Sequence, residues 1–144
     1  MVVINKSLKI NSSSNFQIID ITMNISGILN EINKGSEENR IREGLVNIFT
    51  KHSTSAIVIN ENERGLLNDF EKVLRDIVKE KDNYKHDFID NNAASHLRAF
   101  LLSSSQTIPI TDGRLDLGTW QSIFFIELDG PRSNRTIDLT FLGE

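Results

Sequence analysis

TIPITDGRLDLGTWQSIFFIELDGPRSNRTIDLTF, residues 107–141, holds three apolar runs, 107–110, 120–128 and 135–141, with no helix-length segment between them. Turn signals fill the gaps, at Asp112-Gly113-Arg114 and Asp129-Gly130-Pro131. Parallel strands need a long crossover, usually a helix, whereas antiparallel strands need only a turn. This quarter of the chain therefore reads as antiparallel sheet, and a doubly wound parallel fold is set aside.

Working outward, 44–50 and 56–59 are two more short apolar strands, and 2–10 and 16–21 form a pair around the turn cluster Asn11-Ser12-Ser13-Ser14-Asn15. Three segments have helical period. The first begins at Thr22, placed to cap it, and runs to about 33, with Ile25, Ile28, Leu29 and Ile32 on one face. The second, 66–78, carries the strongest stripe: Leu66, Leu67, Phe70, Val73, Leu74, Ile77 and Val78. The third, 93–102, is expected to turn Leu97, Phe100 and Leu101 to the core. Residues 34–40 are a loop, and 79–92 a long polar loop of the kind that often carries function. The expected architecture is α+β, an antiparallel β-sandwich-like core with two to three helices, in one domain spanning 1–144.

A chain of 144 residues, with 38% apolar and 25% charged residues, has the profile of a globular domain able to bury one core. No apolar run reaches the roughly 20 residues of a membrane span, and residues 1–6 lack the form of a secretory signal. There is no cysteine, hence no disulfide or thiolate ligand; the cytoplasm is the default location. A net charge of −4 argues against nucleic acid as a partner.

Three histidines sit in polar settings: His52 before Ser53-Thr54-Ser55, His86 in Tyr84-Lys85-His86-Asp87, and His96 after Ser95. Two readings stand. Three imidazoles with an open fourth position make a catalytic zinc site; alternatively these are three separate surface or capping residues. Their spacings, 34 and 10 residues, specify no site, and on spacing alone the separate reading is the better. The hydroxyls of Ser53, Thr54, Ser55 and of Ser103, Ser104, Ser105 suit phosphate oxygens or plain turns. Arg114 follows a turn signal and can grip phosphate bidentately. Trp120 is more at home as a core or interface anchor than as a stacking platform. Glu61, in Asn60-Glu61-Asn62-Glu63, is a candidate general base, while Glu63 suits the start of the next helix. Glu61 lies nine residues past His52 across a predicted strand, so the two share a site only if that strand folds back or a neighbouring subunit supplies one of them.

Taken together, these blocks resemble the YjbQ-like family, also called the secondary thiamine-phosphate synthase family. The matching pieces are His52-Ser53-Thr54-Ser55-Ala56 running to Asn60-Glu61-Asn62, Tyr84-Lys85-His86-Asp87, Ser95-His96-Leu97, Gly113-Arg114, Leu117-Gly118-Thr119-Trp120-Gln121 and Asp129-Gly130-Pro131-Arg132. Two positions depart from the family pattern: Ala93-Ala94 replaces Met-Pro, and Ser103 replaces glycine. The resemblance implies a homotrimer that joins a pyrimidine pyrophosphate to a thiazole phosphate and releases pyrophosphate. Glu61 and His86 would be catalytic. Ser53, Thr54, Ser55, Arg114, Thr119 and Gln121 would hold the small phosphorylated substrate. A divalent metal ion would sit on His52, His86 and His96 as zinc, or accompany the pyrophosphate as magnesium. Imidazoles suit zinc, nickel or copper, whereas magnesium prefers oxygen ligands, so these two roles for a metal pull apart. Two other functions stay open: a metal-dependent hydrolase or lyase using the three histidines, and a non-catalytic trimeric module binding an anion or metal.

Overall fold

The computed structural model describes residues 1–144. Strands β1 (Val2–Ile10), β3 (Gly44–Thr50), β5 (Ser105–Thr111), β6 (Arg114–Leu115) and β8 (Arg135–Gly143) form one sheet in the order β1-β8-β3-β5-β6. Strands β2 (Gln17–Asp20), β4 (Ser55–Asn60) and β7 (Ser122–Glu127) form a second, in the order β2-β7-β4. Every pairing is antiparallel. Helices α1 (Thr22–Lys34), α2 (Arg64–Ile77) and α3 (Ala93–Leu102) complete the α+β sandwich. No helix is long and apolar enough to cross a membrane.

Strand period decides the layering. In β8, Ile137, Leu139 and Phe141 alternate inward and meet Val46 and Ile48 of β3 and Ile108 and Ile110 of β5. Strand β7 is buried on both faces, as its unbroken run Ile123-Phe124-Phe125-Ile126 requires. Ile123 and Phe125 face the five-stranded sheet, where Ile25, Leu29 and Ile32 of α1 close the core. Phe124, Ile126 and Leu128 face a second cluster with Leu74 of α2, bordered by Ala99 and Leu102 of α3.

One buried ion pair joins the sheets. Glu127 ends β7 and Arg135 begins β8; Arg135 Nε reaches Glu127 Oε1 at 2.9 Å and Nη2 reaches Oε2 at 2.5 Å. Ser12 Oγ donates to the same carboxylate at 2.5 Å, and Arg135 Nη2 also donates to Thr54 Oγ1 at 3.0 Å. Burial alone would raise the Glu127 pKa, but the Arg135 and Ser12 hydrogen bonds hold it below its ordinary 4.5.

Three local expectations are corrected. Helix α3 turns Phe100 and Leu101 to solvent, at 85% and 60% exposure, with Leu97 at 36%. Its inner face instead holds Ala93, Ala94, Ser95 and Arg98. The buried Arg98 donates through Nε and Nη2 to the Val78 carbonyl at 3.2 and 2.8 Å, capping α2, and pairs with Glu80 at 3.0 Å. Trp120 lies outside the strand predicted to start there, because a turn in which Gln121 N–H bonds Gly118 O at 3.0 Å delays β7 to Ser122; at 73% exposure it is not a core residue, which leaves the interface half of its reading open. Thr22 is the first helical residue rather than the cap, and its Oγ1 donates to Asp20 and accepts from Ile123 N–H. Glu63, by contrast, caps α2 as its position suggested, accepting from Gly65 and Leu66 N–H at 2.8 and 2.6 Å.

Two predictions follow from this frame. Glu127→Gln leaves Arg135 buried without its counter-charge, and should lower unfolding free energy by about 3–5 kcal/mol in urea titration. Because the folded Glu127 pKa is depressed, its contribution is complete well above 4.5 and is lost as pH falls through the folded value, so wild type and variant should converge in acid. Ser103 follows α3 at φ 76°, a conformation that disfavours any side chain. Ser103→Gly should raise stability by about 1 kcal/mol, and an unchanged or lower denaturation midpoint would contradict that strain.

Candidate functional site

The polar signatures collect at two opposite ends of the sandwich. Strand β4 pairs with β7 without interruption from Ser55↔Glu127 to Asn60↔Ser122. Its six residues run straight, spanning about 17–20 Å. His52, Thr54, Ser55, Glu127 and Arg135 stand at one end; Asn60, Glu61, Gln121 and Ser122 stand at the other. The strand does not fold back, so His52 and Glu61 of one chain do not meet.

At the histidine end the three imidazoles have different occupations. His52 Nε2 accepts from Thr136 N–H at 3.0 Å, so its lone pair is spent and Nδ1 carries the proton. Partial burial and the Arg135 charge hold its pKa below 6.5, with Glu127 and Asp138 opposing weakly. His86 lies on a single 3₁₀ turn, Lys85–Phe88, in the long loop. Its Nε2 is 3.1 Å from Asn92 Oδ1, while Asn92 Nδ2 donates to Asp129 Oδ2 at 3.0 Å. That amide orientation makes His86 Nε2 the donor and leaves Nδ1 with a free lone pair. His96, on the first turn of α3, meets His86 edge to face, with centroids 4.8 Å apart. Asp129 is held in turn by Arg132 Nη2 at 3.1 Å. Asp87, the neighbour of His86, is given to capping α3 through Ala93 N–H at 3.0 Å.

The donor set does not fit the anticipated three-imidazole cage within one chain. His86 and His96 pair, but His52 is committed to Thr136, and no three His, Asp or Glu side chains cluster closely enough to share a metal ion. Of the hydroxyl triplet, Ser53 is exposed. Thr54 and Ser55 are buried: Thr54 serves Arg135, and Ser55 Oγ donates to the His52 carbonyl at 3.0 Å and bonds Thr50 Oγ1 at 2.8 Å.

At the far end, Glu61 borders an apolar groove of about 360 Å³ between β4 and α2, lined by Val58, Leu66, Phe70 and Phe124 among others. Glu61 follows the last β4–β7 pair, Asn60↔Ser122, and Gln121 precedes it in a turn where its Oε1 accepts from Gly118 N–H at 2.8 Å. Thr119 is exposed in the same turn, and Asn62 Nδ2 ties that end to Asp20 Oδ2 at 2.9 Å. Arg114 stands apart from this corner: Asn62 and Asp20 lie by Thr22 at the start of α1, whereas Arg114 lies by Asn33 at its C-terminal end, about 16 Å along the helix, directly after a two-residue hairpin turn in which Asp112 and Gly113 both have positive φ (51° and 75°).

Sequence reasoning had passed over Asn92, Asp129 and Arg132 as site residues. Asp129 and Arg132 lie in a quoted motif block, but Asn92 gave no signal, because its role exists only once α3 begins beside the β7 end. NMR titration should find the His52 imidazole as the Nδ1–H tautomer, titrating below 6.5. His52→Ala leaves the Thr136 N–H unpaired and should cost about 1–3 kcal/mol. A His52 that titrates at or above 6.5 would break the assignment.

The family model described as UPF0047 protein YjbQ-like matches residues 6–144. A UPF0047 protein of Methanothermobacter thermautotrophicus is 51% identical over 144 residues, covering 100% of this chain and 95% of that one. The Bacillus subtilis protein YugU is 33% identical, covering 96% and 98%. The crystal structure of a YbjQ-like protein of unknown function from Sulfolobus solfataricus superposes with a TM-score of 0.90 at 38% identity, covering 99% of both chains. The chain, with its paired histidines at one end and its Glu61–Gln121 corner at the other, belongs to the UPF0047 YjbQ-like family.

Proposed function

We propose that this chain is a transferase of the secondary thiamine-phosphate synthase kind, joining a pyrimidine pyrophosphate to a thiazole phosphate with release of pyrophosphate, and that it works as a homotrimer whose sites are shared between copies. The observation that carries the reading is the split of the signature residues across the length of β4. The histidine end holds proton-moving groups and no substrate clamp, whereas the Glu61 end holds Thr119 and Gln121 and no imidazole, with Arg114 a helix length away along α1. Juxtaposing the two ends of neighbouring copies supplies what each lacks.

The outer face of the five-stranded sheet offers the surface for such an assembly. The strand register lines up Val3, Leu142, Leu45 and Pro109 as one exposed row across β1, β8, β3 and β5. The next outward row, Asn5, Thr140, Asn47 and Thr107, is uncharged, and its side chains bond one another in pairs (Thr140–Asn5 at 3.0 Å, Asn47–Thr107 at 3.1 Å). A free sheet face normally alternates to charge, and contiguous apolar patches mark association sites.

In this reading His86, held by Asn92 and Asp129, moves a proton through its free Nδ1. Glu61 of the neighbouring copy steers the pyrimidine, and Arg114 with Thr119 and Gln121 hold phosphoryl oxygens. Most of the acceleration comes from positioning and from charge set where the leaving pyrophosphate develops. A divalent cation enters with the pyrophosphate, on oxygen ligands, rather than on three imidazoles. The His86–His96 contact favours a second reading, a metal-linked hydrolase using that pair; less than about a tenth of an equivalent of metal retained by untagged protein, with no gain on adding zinc, would remove it.

Purified protein given both precursors should form thiamine phosphate, and His86→Ala and Glu61→Ala should each reduce turnover at least 100-fold, on the order of an essential acid–base group. Equal amounts of the two variants, dissociated and reassembled together, should regain about a quarter of wild-type sites, since each shared site then draws at random on two copies. Absence of turnover in the wild type sinks the transferase. Absence of recovery in the mixture sinks the shared site. Leu45→Glu should convert a three-chain mass in light scattering to a single-chain mass.

A further inference from the structure

Eight arginines divide by what their guanidinium groups touch; Arg64 stands alone and exposed at the start of α2. Arg75, Arg98, Arg132 and Arg135 carry ion pairs. Arg42 and Arg114 donate no side-chain hydrogen bond to any group of the chain and belong to no ion pair, although they stand together. Arg40 beside them makes one long contact, 3.5 Å to the exposed Glu37, and its Nε is buried without a partner. A hollow of about 220 Å³ is lined by these three arginines with Asn30, Asn33 and Gly113, and has no apolar lining residue. A second hollow of about 580 Å³ adjoins it, sharing Arg42 and Arg114 and adding Thr111, Leu115 and Asp116, whose carboxylate accepts from Thr111 Oγ1 at 3.3 Å. Asp112 borders both, and its main-chain N–H is bound by Glu43 Oε1 at 3.0 Å.

The scaffold under this cluster is fixed. Asn33 at the end of α1 accepts from Ile41 N–H at 2.8 Å and donates to the Ile41 and Gly113 carbonyls at 3.1 and 3.4 Å. Gly113 N–H bonds the Arg42 carbonyl at 2.9 Å. A side chain at Gly113 would meet Asn33 Nδ2 at 3.3 Å and would have to adopt φ 75°, so the turn that presents Arg114 beside Arg42 needs glycine. Three cations held together with most donors unspent, on a chain of net charge −4, are held against their mutual repulsion. An oxyanion with several acceptor oxygens relieves that repulsion and uses the forks of donors.

We infer that the Arg40–Arg42–Arg114 cluster is a binding site for a diphosphate group, with one phosphoryl in each hollow and Arg42 and Arg114 between them. The inference rests on the transferase reading only for the choice of pyrophosphate over other polyanions. Arg40 and Arg42 become binding residues alongside Arg114, and Asn33 and Gly113 become positioning residues that hold the fork.

Calorimetric titration with inorganic pyrophosphate, without added metal, tests the site; orthophosphate is titrated in parallel. Pyrophosphate should bind at least 10-fold more tightly than orthophosphate, because only the diphosphate spans both hollows. Arg42→Gln and Arg114→Gln should each weaken it at least 10-fold, with unchanged thermal midpoints, while Arg64→Gln, an exposed arginine outside the cluster, should leave it unaltered. No binding of pyrophosphate, equal affinity for orthophosphate, or undiminished binding in the Arg42→Gln, Arg114→Gln double variant would each overturn the site. Tight binding without turnover overturns the transferase and leaves the site standing. Turnover with unaltered pyrophosphate inhibition in the double variant does the reverse.

Discussion

The Glu127–Arg135 pair is the constraint on which the rest of the molecule depends. Hydrophobic burial holds the two sheets face to face, but it is non-directional and does not fix how their ends meet. The ion pair does, because a fork of two donors on a carboxylate admits one geometry. It ties the end of β7 to the start of β8 across the sandwich, and through Ser12 and Thr54 it also ties the β1–β2 turn and the β3–β4 turn. Four chain segments thus converge on one buried charge pair.

That convergence explains why the histidine end is more structural than its composition suggests. Thr54 and Ser55 are hydroxyls in a motif that suits phosphate, but a buried guanidinium and a buried turn need acceptors and donors, and these side chains provide them. Partial burial, and after it the Arg135 charge, disfavour protonation of His52, which suits its task of accepting the Thr136 N–H. Only the outer layer, where Arg132, Asp129 and Asn92 lead to His86 and His96, retains an imidazole lone pair free for chemistry. Rigid support beneath and a free group above is the arrangement a proton-transfer residue requires.

Much of the fold was legible because strand alternation and turn chemistry act locally. The 2–10 and 135–141 runs, the Asp112-Gly113 turn and the capping role of Glu63 were all readable from residue type and spacing. Helix α3 was read inside out. Its stripe of Leu97, Phe100 and Leu101 obeys the usual rule, but the position facing the core is taken by Arg98, whose stem packs and whose head caps α2. A buried arginine leaves no trace in a hydrophobicity pattern, because its partner is a carbonyl 20 residues away. The site was legible only as a set of residue types. Which of them meet depends on the β4–β7 register, and that register parts His52 from Glu61.

The arginines express the same division in charge. At the histidine end Arg135 is spent on Glu127 and Arg132 on Asp129, so positive charge there is neutralised within the chain. At the Arg114 end Arg42 and Arg114 remain unpaired and Arg40 makes one long contact to Glu37, while Glu43 is spent on Asp112 N–H and Asp116 on Thr111 Oγ1. A fold under no demand but stability would gain by pairing these charges, since close like charges repel. The unspent arginines and the His86–His96 pair thus lie at opposite ends of the sandwich. In the proposed homotrimer, head-to-tail contacts closing into a ring would bring these unlike ends together at every junction.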